Sequence, residues 1–225
     1  MPDSDASMDS RESVVLVNGL WLPDPALWLL ARRLRSAGFN TFTFSYHSVR
    51  QDLRANAAQL QTFLARVPGV TVHLVGYSLG GLVIRALFRF HPGQRPGRIV
   101  LLGSPQTGSR AAEQLRRFRF GRRLTGRSVA ELTAGLPQTW PWPAHEIGII
   151  AGNRPFGLGR LAATLQDPND GTVQVEETMI PGARDRRVLP VAHSAMPLSA
   201  AVAQQVIHFL RRGAFKDQLA ATPTS

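Results

Sequence analysis

The sequence predicts an α/β fold in which a mostly parallel sheet of about six strands carries helices on both faces. The first reason is an alternation of short apolar runs, typical of strands buried on both faces, with longer segments of helical periodicity. The second is length, because 225 residues suffice for one large domain. The third is composition: 44% hydrophobic and 18% charged residues are typical of a globular chain and argue against disordered or fibrous classes.

The first half of the chain supplies three strands and three helices. Apolar runs predict strands at 14–17, 40–46 and 70–75. Between these strands, residues 27–34 and 53–67 repeat apolar side chains at helical spacing, which predicts two amphipathic helices. The third strand leads into a helix at 82–90 that is apolar almost all round, and such a helix belongs in a core.

The second half continues the same alternation around one long irregular stretch. Strands are predicted at 98–102, 145–151 and 186–191, and a final helix at 198–212. The stretch 103–144 lacks clear periodicity, and we predict that it is a lid-like insertion. The complete domain then spans 13–212, preceded by a disordered polar leader at 1–12 and followed by a frayed tail at 213–225.

Positive charge is concentrated in one segment. The net charge is +11, and the segment Arg110–Arg127 holds seven arginines against the single acidic residue Glu113. Lys216 is the only lysine among the 26 basic residues, a skew that we attribute to codon bias. Because residues 116–120 interleave guanidinium and aromatic groups, one hypothesis is weak contact with an anionic membrane, and the other is a solvated basic face on a lid. We do not expect a nucleic-acid partner, since no recognised motif for one accompanies the cluster.

The location of the protein is predicted from what its ends and apolar segments contain. The first dozen residues carry three aspartates and no apolar run, so a secretory signal is not predicted. No segment approaches the ~18 consecutive apolar residues of a membrane span. We therefore expect a cytoplasmic protein, with peripheral membrane contact through Arg110–Arg127 as the further hypothesis. The absence of cysteine excludes a disulfide framework, a thiolate metal site and a cysteine nucleophile.

The strongest chemical signal is Gly76-Tyr77-Ser78-Leu79-Gly80, a G-x-S-x-G motif between an apolar strand and an apolar helix. The flanking glycines allow a sharp strand-to-helix turn, and Ser78 stands at its apex. The helix N-terminus favours negative charge that develops there. Ser78 is therefore the predicted nucleophile.

A serine nucleophile needs a base and an acid, which follow it along the chain in this type of fold. His193 lies in a loop after the sixth strand and is the predicted base, whereas His208 falls inside the last helix, where a surface or packing role is expected. The acid is predicted at Asp170, in the turn Asn169-Asp170-Gly171. Asp167 is the next candidate for the acid and Asp185 the third.

An oxyanion hole requires two backbone N–H groups that point at the tetrahedral intermediate. The residue after the nucleophile, Leu79, is expected to supply the first. The loop after the first strand, Asn18-Gly19-Leu20-Trp21, is expected to supply the second through Leu20. Five aromatic residues could line an acyl pocket, although aromatic residues are more often core. They are Trp21, Trp28, Trp140, Trp142 and Phe156.

These segments together resemble a known superfamily. Residues 14–20, the turn 76–81, Pro168-Asn169-Asp170-Gly171 and His193-Ser194 look like the α/β-hydrolase superfamily, more narrowly its lipase-like esterases, and are similar to bacterial triacylglycerol lipases. The resemblance implies an α/β-hydrolase fold, a Ser78–Asp170–His193 triad and an oxyanion hole from Leu20 and Leu79. The first strand ends in Asn18-Gly19, where these proteins usually have His-Gly. Some of these lipases carry a structural calcium, but the sequence gives no place for one.

The predicted function is hydrolysis of small-molecule or lipid carboxylic esters through an acyl-enzyme, a reaction that needs no cofactor. One alternative is acyl transfer to an alcohol, which the same residues could serve. Another is a non-catalytic binding or scaffold protein that has kept the fold. The presence of nucleophile, acid and base in one chain favours the enzyme.

Overall fold

Within the part of the chain that the structure describes, six parallel strands form one sheet. This structure is a computed structural model, and it describes residues 12–21, 24–135, 137–156 and 165–217. The strands are β1 (Ser13–Val17), β2 (Asn40–Phe44), β3 (Val72–Tyr77), β4 (Ile99–Leu102), β5 (Ile147–Gly152) and β6 (Asp185–Leu189). Their order across the sheet is β2-β1-β3-β4-β5-β6, and every neighbouring pair is parallel, which confirms the predicted sheet.

Helices connect most of these strands. They are α1 (Trp28–Ser36), α2 (Leu53–Leu64), α3 (Leu79–Phe90), α4 (Arg110–Arg116), α5 (Arg119–Thr133) and α6 (Ala200–Arg212). Short 3-10 helices occupy Asp24–Leu27, Pro137–Thr139, Glu176–Thr178 and His193–Leu198. Helix α3 is buried from Leu79 to Phe88, as the apolar pattern predicts, although it begins three residues earlier than expected. No helix among the described residues is long and apolar enough to cross a membrane.

The core has two parts, one on each face of the sheet. Side chains alternate along β1, so that Val15 and Val17 pack against α2 and α3, while Val14 and Leu16 pack against α1 and α6. This alternation explains why the strands read as continuous apolar runs in the sequence. Because all six strands are parallel, the loops that follow them meet at one edge of the sheet, the carboxyl edge.

The segments predicted outside the regular fold differ from expectation in two places. The stretch 103–144 contains α4 and α5, and Gly126 interrupts α5 with a non-helical φ of 73°. The many arginines of both helices obscure their apolar periodicity in the sequence. The role of the stretch as a lid stays a prediction. Phe215 lies in the tail predicted to fray, yet it is buried and packs on Phe209. Residues 1–11 of the predicted leader and 218–225 of the tail lie outside the described residues.

Candidate active site

Ser78 lies at the sharp turn between β3 and α3. Its φ of 52° is one of two positive values among the described non-glycine residues. The turn is tight because Gly76 and Gly80 have no side chain. A Cβ on Gly76 would lie 2.7 Å from the Cα of Gly81, and one on Gly80 would lie 2.2 Å from the carbonyl oxygen of Val17. The sequence therefore forces the start of α3 against the end of β1, with Ser78 at the carboxyl edge of the sheet.

The three predicted triad residues are joined by hydrogen bonds, although more than a hundred positions separate Ser78 from His193. His193 Nε2 lies 3.1 Å from Ser78 Oγ, and His193 Nδ1 lies 2.7 Å from Asp170 Oδ2. Because the carboxylate only accepts, it fixes the imidazole proton on Nδ1. Nε2 is then free to accept the proton of the Ser78 hydroxyl. The predicted nucleophile, base and orienting acid are thus aligned by hydrogen bonds.

Asp170 is held as a carboxylate acceptor inside its turn. It is 1% exposed, and its Oδ1 accepts the N–H groups of Thr172 and Val173 at 2.9 and 2.7 Å. These two donors and the imidazole compensate a buried negative charge. The alternative acids face other partners: Asp167 accepts from the Asn169 side chain, and Asp185 from the backbone of Arg186 and Phe215.

His193 is fixed from its backbone as well as from its ring. The N–H of His193 donates to the Asp170 carbonyl at 2.9 Å, and the Tyr77 hydroxyl donates to the His193 carbonyl at 2.9 Å. Burial, and to a smaller extent the charge of Asp170, raises the pKa of Tyr77 above its usual range, so the phenol stays a donor. The other candidate base, His208, lies on α6, where its Nδ1 is 2.8 Å from the Ala214 carbonyl oxygen.

The predicted oxyanion donors border the same cavity as Ser78. Leu79 is the first residue of α3, where a backbone N–H has no intrahelical partner, and Leu20 lies in the loop after β1. Among the hydrogen bonds of the described residues, none uses the Leu20 N–H. Asn18 donates to Ser45 Oγ at 2.7 Å, so this amide ties the loop to the end of β2. Trp21, which follows Leu20 in this loop, has a φ of 57°, a strained value for a bulky side chain.

Sequence reasoning missed a buried polar network beneath Ser78. Ser104 Oγ donates to the Ser78 carbonyl at 2.7 Å, and Gln106 Nε2 donates to Ser104 Oγ at 2.7 Å. Arg85, which is 4% exposed, donates to the carbonyls of Gln106 and Trp140. Burial lowers the pKa of Arg85 to about 10. The sequence signal was Arg85, which stands in the middle of the apolar run Leu82–Phe88 of α3, where a buried charge needs partners.

Ser78 opens onto an apolar cavity of about 410 Å³. The loop after β1 and the start of α3 form one side of it, and the inner faces of α4 and α5 form the other. Among the described residues that line this cavity, none is charged. The lining on the α4–α5 side is Ala111, Ala112, Leu115, Leu124, Thr125, Val129 and Leu132. This apolar face was not recognised in the sequence because arginines alternate with it.

The aromatic residues proposed for an acyl pocket lie in different places. Trp21 borders the cavity. Trp28 is exposed on α1 beneath Arg32, and Phe156 is exposed as well. Trp142 lies below the Arg85 guanidinium, 3.9 Å from its ring centroid, and Trp140 packs edge-on to Phe90. Only Trp21 of the five is placed where it could contact a substrate at Ser78.

Comparison with known proteins agrees with this architecture. A family model described as the alpha/beta hydrolase family matches residues 14–205. The chain is similar to the crystal structure of a lipase of Bacillus licheniformis, with a TM-score of 0.75 and 20% identity over 95% of this chain and 94% of that one. An esterase from Exiguobacterium antarcticum has a TM-score of 0.61 and 13% identity over 90% and 93%. A metagenomic carboxyl esterase has a TM-score of 0.66 and 18% identity over 84% and 66%. No curated protein matches the chain.

Proposed function

The chain belongs to the alpha/beta hydrolase family, and from that premise we propose that it hydrolyses carboxylic esters through an acyl-enzyme on Ser78. One observation carries the proposal. The hydrogen-bonded chain Asp170–His193–Ser78 ends at an uncharged cavity large enough for an acyl group. A fold-retaining binding module has no use for such an alignment.

The first half of the reaction forms the acyl-enzyme. Ser78 Oγ attacks the ester carbonyl carbon while His193 Nε2 takes the hydroxyl proton, and the carbonyl oxygen becomes an oxyanion. The imidazolium forms next to the Asp170 carboxylate, which stabilises its charge. The tetrahedral intermediate then expels the alcohol, which leaves with the proton from His193. In the second half a water molecule repeats the sequence on the acyl-enzyme and releases the acid.

The oxyanion is expected to accept hydrogen bonds from the backbone N–H groups of Leu79 and Leu20. Both residues border the cavity next to Ser78, and α3 adds the positive end of its dipole at this point. These donors need no rearrangement during the reaction, because the strained backbone at Ser78 and the tight packing of Gly80 already fix their positions. Removing one such donor in other enzymes costs about 10²-fold or more in rate.

The lining of the cavity supports uncharged esters with an aliphatic acyl group as the substrate class. Leu20, Leu79 and Val173 line the same cavity as Ser78, and α4 and α5 add only small, hydroxylic or aliphatic side chains. An acyl chain that enters gains about 0.8 kcal/mol per methylene removed from water, whereas a charged acyl group would lose its hydration without a partner.

The test is hydrolysis of p-nitrophenyl butyrate together with labelling by a fluorophosphonate probe. We expect the wild type to be active and labelled, and Ser78→Ala to lose labelling and at least about 10³-fold in kcat. Ser194→Ala, which alters an exposed serine next to His193, is the matched control and should remain active. Equal activity of wild type and Ser78→Ala would contradict the proposal. Adding an alcohol acceptor and analysing the products separates hydrolysis from acyl transfer.

A further inference from the structure

We propose that the surface around the cavity entrance docks on an anionic lipid bilayer. We call it the rim surface and define it by eight residues: Trp21, Arg117, Phe118, Arg119, Phe120, Arg122, Arg123 and Leu124. It combines exposed apolar side chains with exposed arginines, and it adjoins the cavity that contains Ser78.

The apolar part of the rim surface is unusually exposed for its residue types. Phe118 is 70% exposed, Phe120 is 72% exposed and Trp21 is 53% exposed. Leaving such side chains in water forfeits the free energy of burying large apolar areas. Clustered exposure of this kind indicates an interaction surface, whereas single exposed apolar residues do not.

Phe120, Leu124 and Trp21 are neighbours in space. Phe120 and Leu124 are four residues apart on α5, so they lie on one face of the helix. The indole N–H of Trp21 donates to the Leu124 carbonyl at 3.0 Å, which fixes the loop after β1 against the same helix. Trp21 and Leu124 both line the cavity, so the apolar patch continues directly into it.

The charged part of the rim surface selects the partner. Arg117, Arg119, Arg122 and Arg123 are all exposed. Arg116 is different, since it is half-buried and donates to Thr125 Oγ1 and the Gly126 carbonyl, which is a structural role. Guanidinium groups beside aromatic rings match a layer of lipid phosphates above an acyl boundary.

A bilayer fits the rim surface better than a nucleic acid does. Phosphates of either partner would satisfy the arginines. An acyl layer would also cover Leu124 and the apolar cavity mouth, which a polyphosphate would leave against water. Of these two partners, only a lipid–water interface therefore suits both the arginines and the aromatic rings.

The experiment is co-sedimentation with vesicles, performed on Ser78→Ala protein so that the result is independent of the proposed hydrolysis. We expect binding to phosphatidylglycerol vesicles to exceed binding to phosphatidylcholine vesicles by about tenfold or more and to fall as salt screens the charges. Replacing Arg117, Arg119, Arg122 and Arg123 with Gln should abolish the preference. Replacing Phe118 and Phe120 with Ser should weaken binding while the preference for the anionic lipid remains.

The control removes the same charge from the opposite edge of the sheet. Arg35, Arg66, Arg89 and Arg212 lie at or just after the ends of α1, α2, α3 and α6, and are exposed. Replacing these four with Gln should leave most of the preference intact. Equal binding of the wild type to both vesicle types would overturn the proposal. Equal losses from both sets of arginines would do so as well, because net charge alone would then explain binding. Rim-dependent binding to duplex DNA with no lipid preference would assign the surface to nucleic acid instead.

Discussion

The two sides of the cavity are built in different ways. On the sheet side, Ser78 follows a strand directly, and the Asp170 turn and His193 are fixed to each other by backbone and side-chain hydrogen bonds. On the other side, α4 has no buried residue, although its apolar side chains line the cavity. The difference indicates that the proposed reacting groups need a position fixed by the core, whereas the opposite wall needs only an apolar surface.

The kink at Gly126 marks a second difference within the opposite wall itself. After the kink, α5 is anchored to α2: Ser128 Oγ accepts from the Asn56 side chain at 3.0 Å, and Glu131 accepts the Leu53 N–H at 2.7 Å. Before the kink, α5 carries three exposed arginines and the exposed ring of Phe120. From Thr125 onward α5 therefore packs against the core, whereas most side chains before Thr125 are exposed.

The largest effect should come from breaking the sheet side at its acid. Asp170→Asn should lower kcat for p-nitrophenyl butyrate by about 10³-fold or more, because an amide neither stabilises the imidazolium nor keeps the proton on Nδ1. Circular dichroism should remain native. The measurement is steady-state kinetics at fixed pH.

Asp167→Asn and Asp185→Asn are the controls for this substitution. Both aspartates lie between Ser78 and His193 in sequence, yet they accept hydrogen bonds from groups outside the triad. Each variant should keep kcat within a few-fold of the wild type. A damaging Asp167→Asn beside a harmless Asp170→Asn would show that the acid is misassigned.

A smaller loss should follow from disturbing the packing that fixes the elbow. In Gly80→Ala the new methyl group would meet the carbonyl oxygens of Val17 and Asn18 at 2.2 and 2.6 Å, and neither backbone atom can yield cheaply. We expect a destabilisation of about 1–3 kcal/mol. A shift of the oxyanion loop should in addition lower kcat by about 10²-fold.

Gly93→Ala is the matched control, because nothing lies within 4 Å of its added Cβ. Its stability, measured by urea unfolding, should equal or slightly exceed that of the wild type. If Gly80→Ala were as stable and active as Gly93→Ala, the close approach of α3 to β1 would not matter for the site.

The sheet side could be predicted from the sequence because each of its parts has a local signature. The strand, the G-x-S-x-G turn and the apolar helix identify Ser78, and turn residues identify Asp170. Their meeting at one edge follows from the parallel sheet. The Ser104–Gln106–Arg85 network could not be predicted, since most of its bonds are made to backbone carbonyls whose positions only the folded chain defines.

The opposite wall was predicted only as an irregular, lid-like insertion. Gly126 breaks the helical period of α5, and arginines occupy most of its outer face, so neither half presents a clean apolar stripe. The apolar residues that line the cavity become a surface only when the helices pack over the elbow. The burial of Phe215 was missed for a similar reason, because no local pattern reveals its contact with Phe209.

Filling the opposite wall should change acyl selectivity and leave the chemistry intact. In Ala112→Phe the new ring would occupy part of the cavity, so that about two methylenes of a long acyl chain remain in water. Each of them forfeits about 0.8 kcal/mol of burial free energy. We expect kcat/KM for p-nitrophenyl octanoate to fall about tenfold more than for the acetate. Ala58→Phe, on the exposed face of α2, is the control and should leave kcat/KM for both esters unchanged. Parallel losses for both esters would place the acyl chain elsewhere.

The smallest effect concerns Glu177, which connects the two sides. Its carboxylate accepts the N–H of Arg110, the first residue of α4, at 2.6 Å and the N–H of Gln174, near the Asp170 turn, at 2.9 Å. Its carbonyl oxygen accepts the N–H groups of Gln106 and Thr107, in the loop after β4. Burial raises the pKa of Glu177 above its usual value, and the two backbone hydrogen bonds offset this only in part.

A raised pKa means that the native state holds a proton on Glu177 at pH values where the unfolded chain has released it. The contribution of this group to stability is therefore present below its unfolded pKa of 4.5 and declines as the pH rises through the native value. Because other carboxylates titrate in the same range, the quantity to measure is the difference in unfolding free energy between wild type and Glu177→Gln. That difference should fall from acid to neutral pH. A difference that grows with pH would contradict this expectation. It would mean that the ionised carboxylate, which accepts two N–H groups, is the form that connects α4 to the Asp170 turn.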